Sequence, residues 1–500
     1  MKIGFRLDAG SEVGLGHFYR CLSIAETFLG LGSEVHFLSI NLSDRLQEVL
    51  RKRGAGVSQI SSSGPNVRLR SKGATLNRLS LNDASQTSVV SNTLGLDLLV
   101  VDHYGIDQAW VTSLEKKGPR LLQLMDFPSF KGGDFLLDYG FDASLVKHKV
   151  SEIPAQGLLL GPKFAPVSIA PPDYDEALSL EASRSVPRVS IALGSAVSAS
   201  FLKSIELEYV SSDRNFSLAI VSENKSSNGS GANGVDWLAP SNGLGGLFSG
   251  SDFAVTSGGV SMYERIAYGV PGIVVETATN QRGALQAIAP DGLGDDTFME
   301  AQDLSPKSLL DTIGRRLSLG SDSAQSLLLK STIDFFGPLR IAFSLGICER
   351  SSNLVARRFE PKDSPILLNW ANDPDVRSNS ISSHKISPQA HLLWQESLPS
   401  NGTQIWIFDY QGIPFGQVRF ELENCRTFVS YSVDSLFRGL RLSREMLSIA
   451  IRKASIHEDI FAKAKPTNMA SIKILTALGF FVASSRDDLI TFVLPQGLNS

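Results

Sequence analysis

The chain has 500 residues, enough for about three folding units at roughly 100 to 200 residues each, and its 42% hydrophobic content lets each unit bury a core. Charged residues make up 20% and the formal net charge is −4, so the chain lacks the basic excess that binding to a nucleic-acid backbone requires, and no nucleic-acid partner is expected. The 3 cysteines, Cys21, Cys348 and Cys425, form no C-x-x-C pair and stand at no metal-ligand spacing from a histidine, which argues against a disulfide framework and a zinc module.

At the start, Arg6 and Asp8 interrupt the first apolar run, so Ile3 to Leu7 reads as a core strand and not as a signal peptide. The longest apolar run, Leu96 to Val101, contains Asp97 and has the length of a strand. A soluble, cytoplasmic protein with no membrane partner is expected. Up to about residue 345, short β-rich runs alternate with helical patterns, as in βαβ units on a parallel sheet. Strands are expected at Ile3–Leu7, Glu34–Leu38, Leu96–Val101, Arg120–Leu124, Arg188–Leu193, Phe216–Val221, Phe253–Thr256 and Gly272–Val275. Helices are expected at Phe18–Leu29, Val260–Tyr268 and Arg282–Ala289. Pro154, Pro162, Pro166, Pro171, Pro172 and Pro187 cluster before the alternation starts afresh, which predicts two Rossmann-like halves, 1–170 and 185–345. The polar, glycine-rich stretch Ser222–Gly234 reads as a mobile surface loop.

Beyond Ser351 the pattern changes. A strand (Leu354–Phe359) and two helical stretches (Ile366–Trp370, Gln389–Ser397) precede three consecutive strands: Gln404–Phe408, Phe415–Glu421 and Thr427–Val433. A helix (Leu440–Lys453), a strand (Ile460–Ala464) and a helix (Met469–Leu478) follow, so residues 352–497 are expected to form a separate α+β domain.

Three constellations carry chemistry. In the first, residues 6–20 (RLDAGSEVGLGHFYR) place Gly14 and Gly16 between a strand and a helix start, where backbone can approach an anionic ligand and His17 can exchange a proton near neutral pH. Taken alone, the turn fits a capping histidine better. The complete string, Arg6, Asp8, Gly14, Gly16, His17 and Arg20, resembles the start of the PseG-type UDP-sugar hydrolases of pseudaminic acid biosynthesis. Asp102-His103-Tyr104-Gly105, Asp126 and Gly161–Ala165 match further motifs of that family in order, over about 340 residues. The resemblance implies that His17 is the general base or water-orienting group. It also implies that Arg6, Asp8, Gly16, Arg20, His103 and Tyr104 surround the substrate, with Asp8 and Asp126 acting as scaffold or sugar-hydroxyl contacts.

In the second, residues 256–272 (TSGGVSMYERIAYGVPG) run from a strand end through Gly258 and Gly259 into a helix whose N-terminus favours phosphate, with Glu264 placed to take ribose hydroxyls. An ordinary glycine turn before an amphipathic helix is the plainer alternative. The pattern resembles the C-terminal half of GT-B nucleotide-sugar enzymes, which implies that Ser257, Gly258, Gly259, Ser261 and Glu264 hold UDP and that Asn280 and Gln281 contact the sugar. Gly194-Ser195 matches a family glycine turn, with G-S-A where G-G-T is common. No acidic pair at metal-ligand spacing follows a strand, so no metal is expected.

In the third, residues 433–447 (VDSLFRGLRLSREML) again pair a strand with a basic glycine turn and a helix, and Asn468 opens a second short helix ending at Phe480. The pair resembles the GNAT acetyltransferases, which implies acetyl-CoA as acyl donor, bound by Arg438, Gly439, Arg441, Ser443 and Asn468. Arg441 and Ser443 stand where that family carries small residues, and Leu475 stands where many relatives carry a tyrosine acid. Glu421 is a candidate base acting through water, and Tyr431 is the alternative. The segment WANDPDVR (Trp370–Arg377) resembles the substrate-side opening of PseH-type N-acetyltransferases, or is a helix cap after a buried tryptophan.

The expected architecture is therefore α/β: a GT-B-like pair of Rossmann-type halves followed by an α+β GNAT domain. The expected function is hydrolysis of UDP-2,4-diacetamido-2,4,6-trideoxy-β-L-altropyranose to UDP and the free sugar, joined to acetylation of its UDP-linked 4-amino precursor. A GT-B glycosyltransferase using a UDP-amino sugar, or a non-catalytic nucleotide-sugar binder with a degenerate acetyltransferase, are the alternatives. The sequence leaves oligomeric state open.

Overall fold

The structure, a computed structural model, describes residues 1–9, 15–60, 81–103, 106, 108–114, 118–124, 133–143, 157–167, 186–194, 197–222, 229–230, 234–239, 244–277, 281–282, 286, 288, 297–300, 304–320, 322–348, 354–398, 400, 402–486 and 488–495. The chain divides into two compact units, Met1–Cys348 and Glu349–Ser500. No helix among the described residues is long and apolar enough to cross a membrane.

In the first unit, β1 (Lys2–Leu7), α1 (Gly16–Gly30), β2 (Glu34–Ser39), α2 (Asp44–Lys52), β3 (Gly56–Gln59), α3 (Leu81–Leu94), β4 (Leu98–Asp102), α4 (Gln108–Thr112), β5 (Arg120–Leu124), β6 (Phe135–Asp138) and β7 (Leu158–Leu160) form the first half. The strands lie in the order β3-β2-β1-β4-β5-β6-β7 and all pair in parallel. Helices cover both faces, so a strand such as β4 is buried along its whole length and reads as a continuous apolar run closed by one aspartate. Phe5 of β1 stacks on Phe37 of β2 with ring centroids 5.0 Å apart.

The second half repeats the plan. It contains β8 (Arg188–Ala192), α5 (Ala199–Ser211), β9 (Ser217–Val221), β10 (Gly229–Ser230), β11 (Val235–Leu238), α6 (Gly245–Ser249), β12 (Phe253–Ser257), α7 (Val260–Ala267), β13 (Gly272–Glu276), β14 (Thr297–Glu300), α8 (Pro306–Leu317), α9 (Ser323–Thr332) and α10 (Gly337–Ser344). The order is β10-β11-β9-β8-β12-β13-β14, parallel except for the β10–β11 hairpin. That hairpin corrects the loop expected at Ser222–Gly234: Gly229 and Ser230 pair with Trp237 and Asp236, and most of the remaining stretch lies outside the described residues. The expected helix at Arg282–Ala289 also lies largely outside them, as does the expected linker between the halves.

Helix α10 returns to the first half. Gly337 lies so close to Ala165 that a Cβ there would be 1.9 Å from the Ala165 carbonyl oxygen, so only glycine fits. Arg340 donates to the Lys163 carbonyl at 3.0 Å, and Arg120 donates to the Leu345 carbonyl at 3.2 Å.

In both sheets the connection reverses direction at one place, between β1 and β4 and between β8 and β12. Open α/β sheets form their ligand crevices at such points, at the carboxyl ends of the strands. The first two constellations of the sequence fall at these two positions.

The second unit is built differently. Its elements are β15 (Leu354–Arg358), α11 (Ser364–Ala371), α12 (Pro374–Asn379), α13 (Pro388–Ser397), β16 (Gln404–Tyr410), β17 (Ile413–Glu423), β18 (Arg426–Val433), α14 (Leu442–Ala454), β19 (Ile460–Ala464), α15 (Met469–Ala477), β20 (Phe481–Arg486) and β21 (Leu489–Leu494). The sheet order is β15-β16-β17-β18-β19-β21-β20, antiparallel except between β18 and β19. The β18–β19 pairing ends at Val429 and Ala462, while β18 runs on to Val433 and β19 to Ala464. The two strands diverge there and leave a wedge in the sheet.

Candidate active sites

At the first switch point β4 ends on Asp102, whose side chain is 1% exposed, beside the start of α1. Asp102 Oδ1 lies 2.6 Å from His17 Nδ1, and its Oδ2 accepts from Arg20 Nε at 2.6 Å. Burial works to raise the Asp102 pKa, but the Arg20 charge first and His17 second hold it well below the usual carboxylate range. An ionised carboxylate can only accept, so the His17 tautomer that serves Asp102 carries its proton on Nδ1 and leaves Nε2 as the basic nitrogen; Arg20 Nη2, 3.0 Å from the same Nδ1, then donates to Asp102 Oδ1 at 2.5 Å. Arg20 also donates to Tyr139 Oη at 3.0 Å, and Cys21 Sγ lies 3.3 Å from Asp102 Oδ2.

This geometry rearranges the expected roles. Asp102, noted in the sequence as the neighbour of His103, is the partner of His17. His103 points elsewhere: its Nε2 is 3.3 Å from Asp8 Oδ2, and burial lowers its pKa against the pull of Asp8. Asp8 also accepts from Ser39 Oγ at 2.7 Å and from the Ile40 amide at 2.8 Å. Burial pushes its carboxyl up, while the hydrogen bond from His103 and the Arg6 charge hold it well below the carboxylate range. Arg6 is 0% exposed and clasped by Asp83 at 2.8 Å and Asp8 at 3.1 Å, so it braces the site from beneath. Trp110 Nε1 completes that brace with a 2.8 Å bond to Asp83. Gly16 is the first residue of α1, and a Cβ there would meet nothing within 4 Å. Gly14, Tyr104 and Asp126 lie outside the described residues.

At the second switch point Ser257 closes β12, and Gly258 and Gly259 lead into α7, whose N-cap Gly259 offers no side-chain cap. Its first amides are thus the kind of donors that take an anion. Ser257 Oγ and Ser261 Oγ lie 3.3 Å apart, and the Gly258 amide donates to Gln281 Oε1 at 3.2 Å. Gly194, at φ +71°, lies in the turn after β8, and a Cβ built on it would stand 4.0 Å from Ser257 Oγ. Glu264 accepts from the Leu244 amide at 3.3 Å, and burial pushes its pKa up to about 7 against that donor. Asn280 and Ser195 lie outside the described residues.

The two switch points are joined by aromatic rings. Tyr139, the acceptor for Arg20, meets Tyr263 of α7 edge-on with centroids 4.9 Å apart, and Phe141 stacks on the same Tyr263 at 5.6 Å. The sequence reading gave no role to Tyr139, which lies outside its motifs, or to Tyr263, which lies within the second of them; only the folded chain makes them neighbours.

In the second unit the loop before α14 makes two left-handed turns, Gly439 at φ +81° and Arg441 at φ +64°. Arg441 is the N-cap of α14 and gives no side-chain cap, so the helix amides near Leu442 and Ser443 face outward. The Arg438 guanidinium is committed to Asp373 and Asp375, each at 2.7 Å, and to the Val433 carbonyl at 3.1 Å. The loop therefore offers backbone rather than that side chain. Asn468 caps α15 by accepting from the Ser471 amide at 3.1 Å. Tyr431 lies two residues beyond the last β18–β19 pair, and its hydroxyl is 3.0 Å from Ser471 Oγ. Leu475 is 2% exposed, and Glu421 pairs with Arg419 at 3.1 Å. Within WANDPDVR, Trp370 is buried with Nε1 bonded to Asp434 at 3.0 Å, and Asp373 caps α12.

Residues 353–481 match the acetyltransferase (GNAT) domain family. The C-terminal unit is a GNAT acetyltransferase domain. Among solved structures, spermidine N-acetyltransferase from Vibrio cholerae in complex with CoA and spermine is 16% identical, over 29% of this chain and 98% of its own, with a TM-score of 0.27. A glycosyltransferase from Rickettsia africae ESF-5 is 13% identical over 70% of this chain and 99% of its own, with a TM-score of 0.43. The glycosyltransferase VinC in complex with dTDP is 15% identical over 70% of this chain and 100% of its own, with a TM-score of 0.45. No curated protein matches the chain. The likenesses to solved structures are loose. The paired 3-2-1-4-5-6 sheet orders themselves give the N-terminal unit its GT-B-like pair of Rossmann-type halves.

Proposed function

We propose that the N-terminal unit hydrolyses a UDP-linked 2,4-diacetamido-2,4,6-trideoxy sugar and that the GNAT domain acetylates its UDP-linked 4-amino precursor from acetyl-CoA. The observation that carries the hydrolase reading is the His17–Asp102 pair at the β1–β4 switch point. His17 Nε2 takes a proton from water as its oxygen bonds to the anomeric carbon; the bond from that carbon to the phosphate oxygen breaks, and UDP leaves with the electron pair. The amides at the start of α7 receive the diphosphate charge, and UDP needs no acid. Glu264 would accept from the ribose hydroxyls, and Arg20 keeps Asp102 ionised.

For the acetyl transfer, the wedge between β18 and β19 suits the acyl arm of acetyl-CoA, and the Gly439–Ser443 turn suits its pyrophosphate. The acceptor amine adds to the thioester carbonyl, the C–S bond breaks, and the thiolate leaves with the pair. Glu421 is the candidate to take the amine proton through water.

Incubating the full chain with the UDP-linked diacetamido sugar tests the first activity. UDP and free sugar formed together, and lost in His17→Ala, support hydrolysis. UDP release that depends on an added acceptor would replace it with glycosyl transfer, and binding without turnover would leave a nucleotide-sugar binder. Thiol release from acetyl-CoA with the 4-amino sugar nucleotide tests the second.

A further inference from the structure

The GNAT domain carries two guanidinium groups, one on its sheet and one on a helix, that the acetyl-transfer chemistry does not use. Arg419 stands on β17 directly opposite Ser430 of β18, and its guanidinium lies over the Trp394 ring of α13 at 5.6 Å. Arg377 comes from α12. It donates to Ser380 Oγ at 3.2 Å and only weakly to the Ser382 and His384 carbonyls, at 3.4 and 3.3 Å. The two are close enough that the charge of Arg419, after burial, counts against protonation of Arg377.

Both Nε atoms and Ser430 Oγ are shut from solvent with no hydrogen-bond partner among the described residues. Buried donors without acceptors are costly, and here two stand on the directly opposed Arg419 and Ser430 while the third belongs to Arg377, near enough to feel the Arg419 charge. Glu421, bonded to Arg419 Nη2, offsets one of the two charges. His391 of α13 adds none, because burial pushes its pKa down to about 4. Ser430 is also the first residue of β18 past its pairing with β19, at the mouth of the wedge.

We propose that Arg377 and Arg419, with Ser430, form a binding site for a phosphate or diphosphate group on the acetyl acceptor. Guanidinium groups suit phosphate oxygens through paired N–H donors, and two of them held by packing form a preorganised clamp. The neighbouring Glu421 would then face the amine of the same molecule. This rests on the proposed acetylation of a nucleotide-linked amino sugar, whose diphosphate is the anion the site would take.

The test uses the full chain with CoA at saturation, so that the Gly439–Ser443 turn is filled, and titrates inorganic pyrophosphate by calorimetry. The Arg377→Gln/Arg419→Gln double variant should lose one binding event that the wild type shows, or bind it at least about tenfold more weakly, with CoA affinity unchanged. Arg377→Gln alone, on a short surface helix, should show a smaller weakening of the same event. Equal pyrophosphate binding by wild type and both variants would overturn the site. In the transfer assay the double variant should raise KM for the 4-amino sugar nucleotide about tenfold with kcat nearly kept. If the binding difference is found but wild type releases no thiol with that sugar nucleotide, the anion site stands and the acceptor identity fails.

Discussion

Replacing Asp102 by Asn probes the centre of the first site, because the carboxylate serves three buried side chains at once. Oδ1 faces His17 Nδ1 at 2.6 Å, and Oδ2 faces Arg20 Nε at 2.6 Å and Cys21 Sγ at 3.3 Å. Asparagine supplies one acceptor and one donor in the same space. If its oxygen serves Arg20, its amide meets His17 and forces the proton to Nε2, removing the base. If its oxygen serves His17, its amide opposes the Arg20 guanidinium. Breaking a buried ion pair from one side costs about 3–5 kcal/mol, and Asp102 and Arg20 are 1% and 5% exposed at the side chain. Loss of a positioned base costs about 10²- to 10⁴-fold in rate. Asp102→Asn should therefore fold with a lowered Tm and release UDP at least about a hundredfold more slowly, near the level of His17→Ala. Because the Asp102 pKa is lower folded than unfolded, its contribution to stability is complete above about pH 4 and fades only as pH falls toward the folded value. The wild-type margin over Asp102→Asn should thus be flat from pH 5 to about 8. UDP release measured by a coupled assay, beside thermal melts, decides the matter. A folded Asp102→Asn protein within about threefold of the wild-type rate would refute the assignment of His17 as a base oriented by Asp102.

Three further outcomes follow from other residues. Glu264 is displaced from 4.5 to about 7, so the folded protein binds more protons than the unfolded chain between those values and its stability should fall as pH rises through that window. Glu264→Gln should remove up to about 3 kcal/mol of that slope, read as a Tm difference between pH 5 and 8, and UDP should bind wild type more tightly as pH rises through about 7. Arg441→Gly relieves a left-handed residue and should leave stability unchanged or raise it by about 1 kcal/mol while tightening acetyl-CoA binding; a loss of binding would mean that the Arg441 side chain itself holds the cofactor. Tyr139→Phe removes the Arg20 acceptor but keeps the ring against Tyr263, so kcat for UDP release should drop about three- to tenfold with UDP affinity kept, and a change confined to KM would refute it.

What could be seen in advance follows from how locally each feature is encoded. Arg120–Leu124 and Ile460–Ala464 are strands at the residues expected: the first is carried by the buried Leu121, Leu122 and Leu124, and the second buries Ile460, Ala462 and Ala464 at a period of two. The short or exposed strands escaped notice: β3 reads Gly-Val-Ser-Gln with little apolar content, and β20 is exposed along its length, so neither has a buried face to write a period into the sequence. The sites divide the same way. Gly258, Gly259 and Ser261 could be read because a strand, a turn and a helix start are contiguous in the chain. The His17–Asp102 pair could not, because 85 residues separate its members and parallel pairing of β1 with β4 is what joins them. The neighbour in sequence, His103, points to the opposite side of the strand end and finds Asp8 instead. Successive residues at the end of a parallel strand alternate in direction, so Asp102 and His103 had to serve different partners, and only one of them could belong to His17. The same alternation separates Ser430, which shares its face with Arg419, from Tyr431, which turns toward Ser471 on α15. Adjacent residues at the mouth of the wedge thus address different faces of the GNAT sheet, Ser430 the proposed anion site and Tyr431 the helix whose first residue follows Asn468.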